Sequence, residues 1–195
     1  GSEVLTVNPA SNAIFDAAGN AASTTQSNNT QTLNDQASPT MTIASTTVSS
    51  GTTTNDASIL LGFGSSETTT NFLAGDITVT NGSISNFNGS GNSYIATFTP
   101  TANGLCTIDV AAGTFTDAAG NANTAATQFT WTFDSTSPTM TITAAEGTDP
   151  FASNDATLSL TFTASQATTN FVAGDISVTN GTISYFSSGS STVYT

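Results

Sequence analysis

The 195 residues contain no lysine, no arginine and no histidine, against 13 aspartates and glutamates, which leaves a formal net charge of −13. Without a cationic side chain, no side-chain salt bridge can form, so any association rests on backbone pairing and apolar burial. Nucleic acid is excluded as a partner, because binding it needs cations that displace the condensed counterions. Anionic membrane surfaces repel such a chain, and no apolar run approaches the roughly 20 residues of a spanning helix, so no membrane insertion is expected. Catalysis is equally constrained: no His or Lys can act as base, and no Ser/His or Cys/His pair is available. A carboxylate pair of the glycosidase kind remains, but the acids are spread through repeated turns with no aromatic-rich sequence around them, and the chain is read as no enzyme. The missing Lys and Arg also remove the cleavage sites of trypsin-like proteases, which suits exposure outside a cell. One cysteine, Cys106, permits no intrachain disulfide. It lies in an alternating strand pattern and reads as a small buried hydrophobe, since reactive thiols need cationic neighbours. No leader-type segment is visible at Gly1, so a processed chain or a segment of something longer is expected.

What is abundant is Thr, Ser, Asn, Gly and Ala, a composition that favours short strands and turns over helices. The phrases repeat. Ser38-Pro39-Thr40-Met41-Thr42-Ile43 recurs 99 residues later as Ser137-Pro138-Thr139-Met140-Thr141-Ile142, and Asn71-Phe72-Leu73-Ala74-Gly75-Asp76-Ile77 recurs at the same offset from Asn170 to Ile176. A repeat of this length matches an immunoglobulin-type β-sandwich. Within it, Ile59, Leu61 and Phe63 share one face by period-two alternation, as do Cys106, Ile108 and Val110, and Phe129, Trp131 and Phe133; these faces are the expected core. Asn81-Gly82 and Asn180-Gly181 predict hairpin turns, both residue types tolerating positive φ. Ser-Pro at 38–39 and 137–138 marks the start of each repeat, where proline opens an edge strand without leaving a ladder donor unmet.

A third piece is partial. Phe115-Thr116-Asp117-Ala118-Ala119-Gly120-Asn121 reappears as Ile14-Phe15-Asp16-Ala17-Ala18-Gly19-Asn20, so residues 1–37 read as the tail of a repeat, 38–136 as a complete sandwich and 137–195 as the front of another. By this alignment Thr195 matches Ala96 and Gly1 matches Ala102, and the end fragments are complementary. The fold expected is all-β, with tandem sandwich repeats of about 99 residues, one complete and one split between the chain ends. A sandwich cut this way leaves apolar faces and an unpaired edge. Strand complementation between copies would cover both, with Leu5, Val7, Ile14 and Phe15 as donor residues and Leu158, Leu160, Phe162, Phe171, Ile176 and Val178 as acceptor core. Such contacts run head to tail and make open filaments, the partner being the protein itself. The aligned equivalents of Phe129, Trp131 and Phe133 are Thr30, Thr32 and Asn34, so the last strand would be poorly apolar and residues 21–34 are alternatively a linker. A stretch of a long covalent repeat array is the alternative.

The phrases Phe-x-x-x-Asp-Ile-Thr/Ser-Val-Thr-Asn-Gly, Phe-Thr-Asp-Ala-Ala-Gly-Asn and Asp-x-x-Ser-Pro-Thr resemble the bacterial Ig-like repeats of very large secreted adhesins and surface proteins, over almost the whole chain. The resemblance implies a secreted or cell-surface location and a role as spacer, stalk, fibre or adhesive module. Unlike the adhesins, this chain shows no separate tip domain.

Carboxylates recur in pairs: Asp16/Asp117, Asp35/Asp134, Asp56/Asp155 and Asp76/Asp175. Oxygen-rich loops at sandwich ends can take Ca²⁺, with Asp35, Asp117 and Asp134 as candidate ligands, but no dense Asp-x-Asp-x-Asp loop occurs, and turn-forming Asp that caps its own backbone is the simpler reading. No other cofactor is expected. Asn-x-Ser/Thr sequons at Asn28, Asn81, Asn88 and Asn180, with Ser/Thr-rich stretches such as 45–54, make attached glycans a candidate partner. A third reading, a carbohydrate-binding module, would use Tyr94, Tyr185 or Tyr194 as surface rings.

Overall fold

The structure is a computed structural model that describes residues 4–8, 10, 13–24, 30–32 and 35–195. The chain divides into two compact units, Gly1–Ser135 and Thr136–Thr195, each considered by itself. Its strands are β1 (Val4–Thr6), β2 (Thr30–Thr32), β3 (Met41–Ser45), β4 (Thr53–Thr54), β5 (Ile59–Thr69), β6 (Ile77–Thr80), β7 (Gly82–Pro100), β8 (Gly104–Val110), β9 (Phe129–Phe133), β10 (Met140–Ala144), β11 (Leu160–Ala164) and β12 (Val193–Tyr194). Short 3₁₀ turns at Ala74–Asp76 and Ala173–Asp175 are the only helical segments among the described residues. The chain is therefore all-β, as its composition predicts.

Residues 38–133 form a two-sheet sandwich. One sheet has the order β3-β5-β7, the other β4-β9-β8-β6, with β4 parallel to β9 and the other pairs antiparallel. Period-two alternation aims one side of each strand inward. Ile59, Leu61 and Phe63 from one sheet meet Cys106, Ile108, Val110, Phe129 and Trp131 from the other in a single buried cluster, with Phe133 partly buried against it. Pro39 is fully buried just ahead of edge strand β3, and its carbonyl accepts the Thr124 N–H. Cys106 is a free, buried cysteine whose thiol burial pushes up, which keeps it in the inert form.

The Asn-Gly steps do not make hairpins. Asn81 takes φ 54° and Asn180 φ 58°, as expected of the residue type. But β6 pairs with β8 and β7 with β5, so the kink at Asn81 carries the chain from one sheet to the other. Gly82 is needed for space rather than for φ: a Cβ there would lie 2.2 Å from Cζ of Phe98.

Unit 136–195 carries one sheet, β10-β11-β12. Its register repeats that of β3-β5 residue for residue, Met140 opposite Ala164 as Met41 is opposite Ser65. At β12 the repeat shifts by one: Phe162 stands opposite Tyr194 as Phe63 stands opposite Tyr94, so Thr195 matches Ile95 and not Ala96. One extra residue has been taken up in the loop after Phe186, and tyrosine packing sets the true register. At the other end, β1 and β2 pair antiparallel with Leu5 opposite Gln31, the pairing of β8 and β9 in which Cys106 is opposite Trp131. Part of the 21–34 linker candidate is thus strand, and Gln31, not Thr30 or Thr32, stands at the tryptophan position.

Candidate assembly face

The sheet of unit 136–195 builds an aromatic nest. Phe171 meets Phe162 at 5.7 Å, Phe186 at 5.5 Å and Tyr194 at 5.0 Å between centroids, and Phe186 stacks on Tyr194 at 5.9 Å. The complete sandwich holds the same four rings, with Phe72 meeting Phe63 at 5.8 Å, Phe87 at 5.6 Å and Tyr94 at 5.1 Å. There a fifth ring, Phe115, closes on Phe72 at 5.2 Å in an edge-on contact. Tyr94 donates its hydroxyl to the carbonyls of Thr69 and Gly91, and Tyr194 does the same to those of Thr168 and Ser191. Both tyrosines are therefore core anchors rather than surface rings, and Tyr185 alone of the three is exposed. Of the three rings offered for a carbohydrate-binding module, Tyr94 and Tyr194 are buried and Tyr185 stands at the surface.

The acceptor residues named from sequence lie on this sheet and beside it. Phe162 is buried; Leu160, Phe171 and Ile176 are half-buried; Leu158 and Val178 are exposed. The contrast with the complete sandwich is large at one position: Ile59 is 1% exposed, whereas its counterpart Leu158 is 48% exposed. In the complete sandwich that face is covered by β8 and β9. The donor residues Leu5, Val7, Ile14 and Phe15 are all exposed.

Residues 14–22 repeat the backbone pattern of residues 115–123 in the loop between β8 and β9. Phe15 bridges Ala21 as Thr116 bridges Ala122, and Ala22 donates its N–H to the Ile14 carbonyl as Asn123 does to that of Phe115. Inside each loop the aspartate side chain organises the backbone: Asp16 accepts from the N–H groups of Ala18 and Asn20 and from Nδ2 of Asn20, and Asp117 accepts from Ala119 and Asn121 in the same way. The asparagine amide, first among these donors, holds both carboxyls below the usual range. The other pairs also serve turns. Asp56 bonds Thr54 and Asp155 bonds Ser153, while Asp76 and Asp175 accept the N–H groups of Leu73 and Val172.

Of the Ca²⁺ candidates, Asp35 and Asp117 come together with Glu67, one carboxylate oxygen from each lying within 4.8 Å of the others. Asp134 lies apart from them, accepting from Nδ2 of Asn103 at 3.3 Å. Glu67 was not visible from sequence, because only the packing of β5 against the loop after β8 brings it near Asp117. The Ala37 N–H holds the Asp35 carboxyl low, against the opposing charge of Asp117. Three oxygens so placed are of the type a hard divalent cation takes, though Ca²⁺ prefers six to eight. Among the sequon residues, Asn88 and Asn180 are exposed, Asn81 already donates Nδ2 to the Ala102 carbonyl at 2.8 Å, and Asn28 lies outside the described residues.

The family model of the bacterial Ig-like domain matches residues 35–133 and again 134–195. No curated protein and no solved structure matches the chain.

Proposed function

Because the chain belongs to the bacterial Ig-like domain family, whose members are typically non-catalytic structural domains of surface-exposed proteins, we propose that it is the structural protomer of an extracellular filament, assembling head to tail by β-strand complementation. One observation carries the reading: residues 136–195 reproduce one sheet of the complete sandwich, while β1 and β2 pair as β8 and β9 of the opposite sheet do, in matching register. Two half-sandwiches of one sequence family are complementary by construction. The strand of one copy brings Leu5 to the position of Cys106 and Val7 to that of Ile108, over the exposed face that holds Leu158. Burying a Leu or Val side chain contributes about 1.5–3 kcal/mol each, and the main-chain ladder supplies direction. With −13 formal charges on every copy, the apolar contribution must also exceed mutual repulsion, so assembly is expected to strengthen with salt.

The test is direct. The purified chain is expected to form filaments visible by negative-stain microscopy that dissolve in hot detergent to a single band near 19.5 kDa. Leu5→Asp with Val7→Asp should leave Trp131 fluorescence native and abolish the filaments; filaments that persist in this variant sink the reading. The adjacency of the two family matches favours a second reading, a spacer in a longer array of covalent repeats. On that reading the missing strands come from continuing chain, and the same variant changes nothing.

A further inference from the structure

The loop from Ile14 to Ala22 keeps the backbone and aspartate bonds of its counterpart, residues 115–123, and loses those of the Asn123 side chain, whose place Ala22 takes; its apolar members face solvent. Phe115 is 1% exposed and Ile14 is 56% exposed. In the complete sandwich this loop does more than connect strands. Phe115 inserts edge-on against Phe72, and Asn71 grips the next residue, its Oδ1 accepting the Thr116 N–H at 3.0 Å and its Nδ2 donating to Thr116 Oγ1 at 3.3 Å. Thr69 then bridges Asp117. Unit 136–195 retains each acceptor part of this arrangement in sequence: Phe171 for Phe72, Asn170 for Asn71 and Thr168 for Thr69. Phe171 keeps three ring neighbours at distances within a few tenths of an ångström of those in the sandwich, and Asn170 is exposed. The socket is formed, and the ring that fills it in the complete sandwich has no counterpart within the unit's own sequence.

We propose that the Ile14–Ala22 loop of a second copy is a pre-formed plug for this socket, with Ile14 seated on Phe171 and the Asn170 side chain holding the backbone of Phe15. The proposal rests on the strand-complementation reading and adds to it what sets the register: a strand alone can slip by two residues and keep its apolar face inward, whereas a plug and an amide clamp permit one alignment. Because the Asp16 carboxylate already folds the loop in the free chain, docking orders little new backbone, which favours binding. Residue 15 is Phe where the sandwich has Thr116, so the clamp keeps the N–H bond and loses the bond to a hydroxyl.

The experiment places cysteines at the clamp, Phe15→Cys together with Asn170→Cys in the full chain, where Asn71 and Thr116 meet in the complete sandwich; native Cys106 is buried and stays. After assembly the sample is oxidised or treated with a short bis-thiol reagent and run without reductant. A ladder of covalent oligomers is the expected result, and Ile14→Asp added to the pair should reduce the ladder at least tenfold. Filaments whose chains run as uncoupled monomers would overturn the plug while leaving strand exchange standing. A cross-linked single chain overturns docking between copies. Wild-type chains that form no polymer at any concentration overturn the strand-exchange reading itself, and with it this one.

Discussion

Residues 38–100 and 137–195 share their strand and turn phrases and fold an equivalent three-stranded sheet, with one residue inserted before its last strand, yet they end in different environments. Met41 is 4% exposed and Met140 37% exposed, although both open an edge strand from the same Ser-Pro-Thr-Met phrase. Local structure is common to the two: the 3₁₀ turns at Ala74–Asp76 and Ala173–Asp175 close on the same aspartate contact, and both tyrosine hydroxyls find carbonyls on equivalent residues. What differs is the presence of an opposing sheet. The comparison separates what a strand sequence builds alone from what a second layer adds.

Trp131 is the only tryptophan in the chain and sits in the complete sandwich, so its fluorescence reports that domain by itself. Leu61→Ala should lower the stability read by Trp131 in urea by about 2–5 kcal/mol, the usual cost of truncating a buried Leu. Leu160→Ala at the equivalent position should leave that transition unmoved and instead weaken assembly; a shift of the Trp131 midpoint would break the comparison. Next in size, Gly82→Ala drives a Cβ into the Phe98 ring and should cost about 1–3 kcal/mol by overpacking. Gly181→Ala meets only Val178 Cγ1, at 3.3 Å, and is expected to cost well under 1 kcal/mol.

A smaller effect comes from pH. The Asp117 carboxyl titrates below the usual aspartate range in the folded state, chiefly because the Asn121 side chain donates to it. A depressed folded pKa contributes stability that is present above the unfolded value and is lost as pH falls through the folded one. The Trp131 thermal midpoint should therefore drop on acidification below about pH 4, the unfolded Asp value. Asp117→Asn should flatten that drop and Asp16→Asn, in the N-terminal copy of the loop, should not; equal flattening by both would mean the two loops are not independent. Smallest is Glu67→Gln, which removes one of three clustered charges and should slightly raise the midpoint at low salt in chelator. A midpoint that Ca²⁺ raises in the wild type and not in Glu67→Gln would mark Asp35, Glu67 and Asp117 as cation ligands.

Much of the architecture was legible because β-structure writes itself in period two. The faces Ile59/Leu61/Phe63 and Cys106/Ile108/Val110 are buried as alternation requires, and the division into repeats follows from phrases that recur at one offset. The Asn-Gly steps show where this ends. Positive φ at Asn81 was readable, but which sheet the next strand joins depends on a partner more than twenty residues away, and a dipeptide carries no record of it. The tyrosines misled for a related reason: a hydroxyl-bearing ring looks the same in sequence whether it faces water or reaches a buried carbonyl. Glu67 joined Asp35 and Asp117 only through packing, at separations in sequence that suggest nothing.

For this protein, the order of residues by itself determined the all-β class, the repeat, the loop that Asp16 and Asp117 each organise, and the absence of any cationic chemistry. These are local or compositional properties, settled within a strand or a turn. Tertiary structure alone decided which apolar faces are covered, that Tyr194 rather than its neighbour sets the register of the last strand, and that Leu158 and Ile14 stand exposed where Ile59 and Phe115 do not. Burial is a property of two layers brought together, and one layer's sequence cannot state whether the other is there.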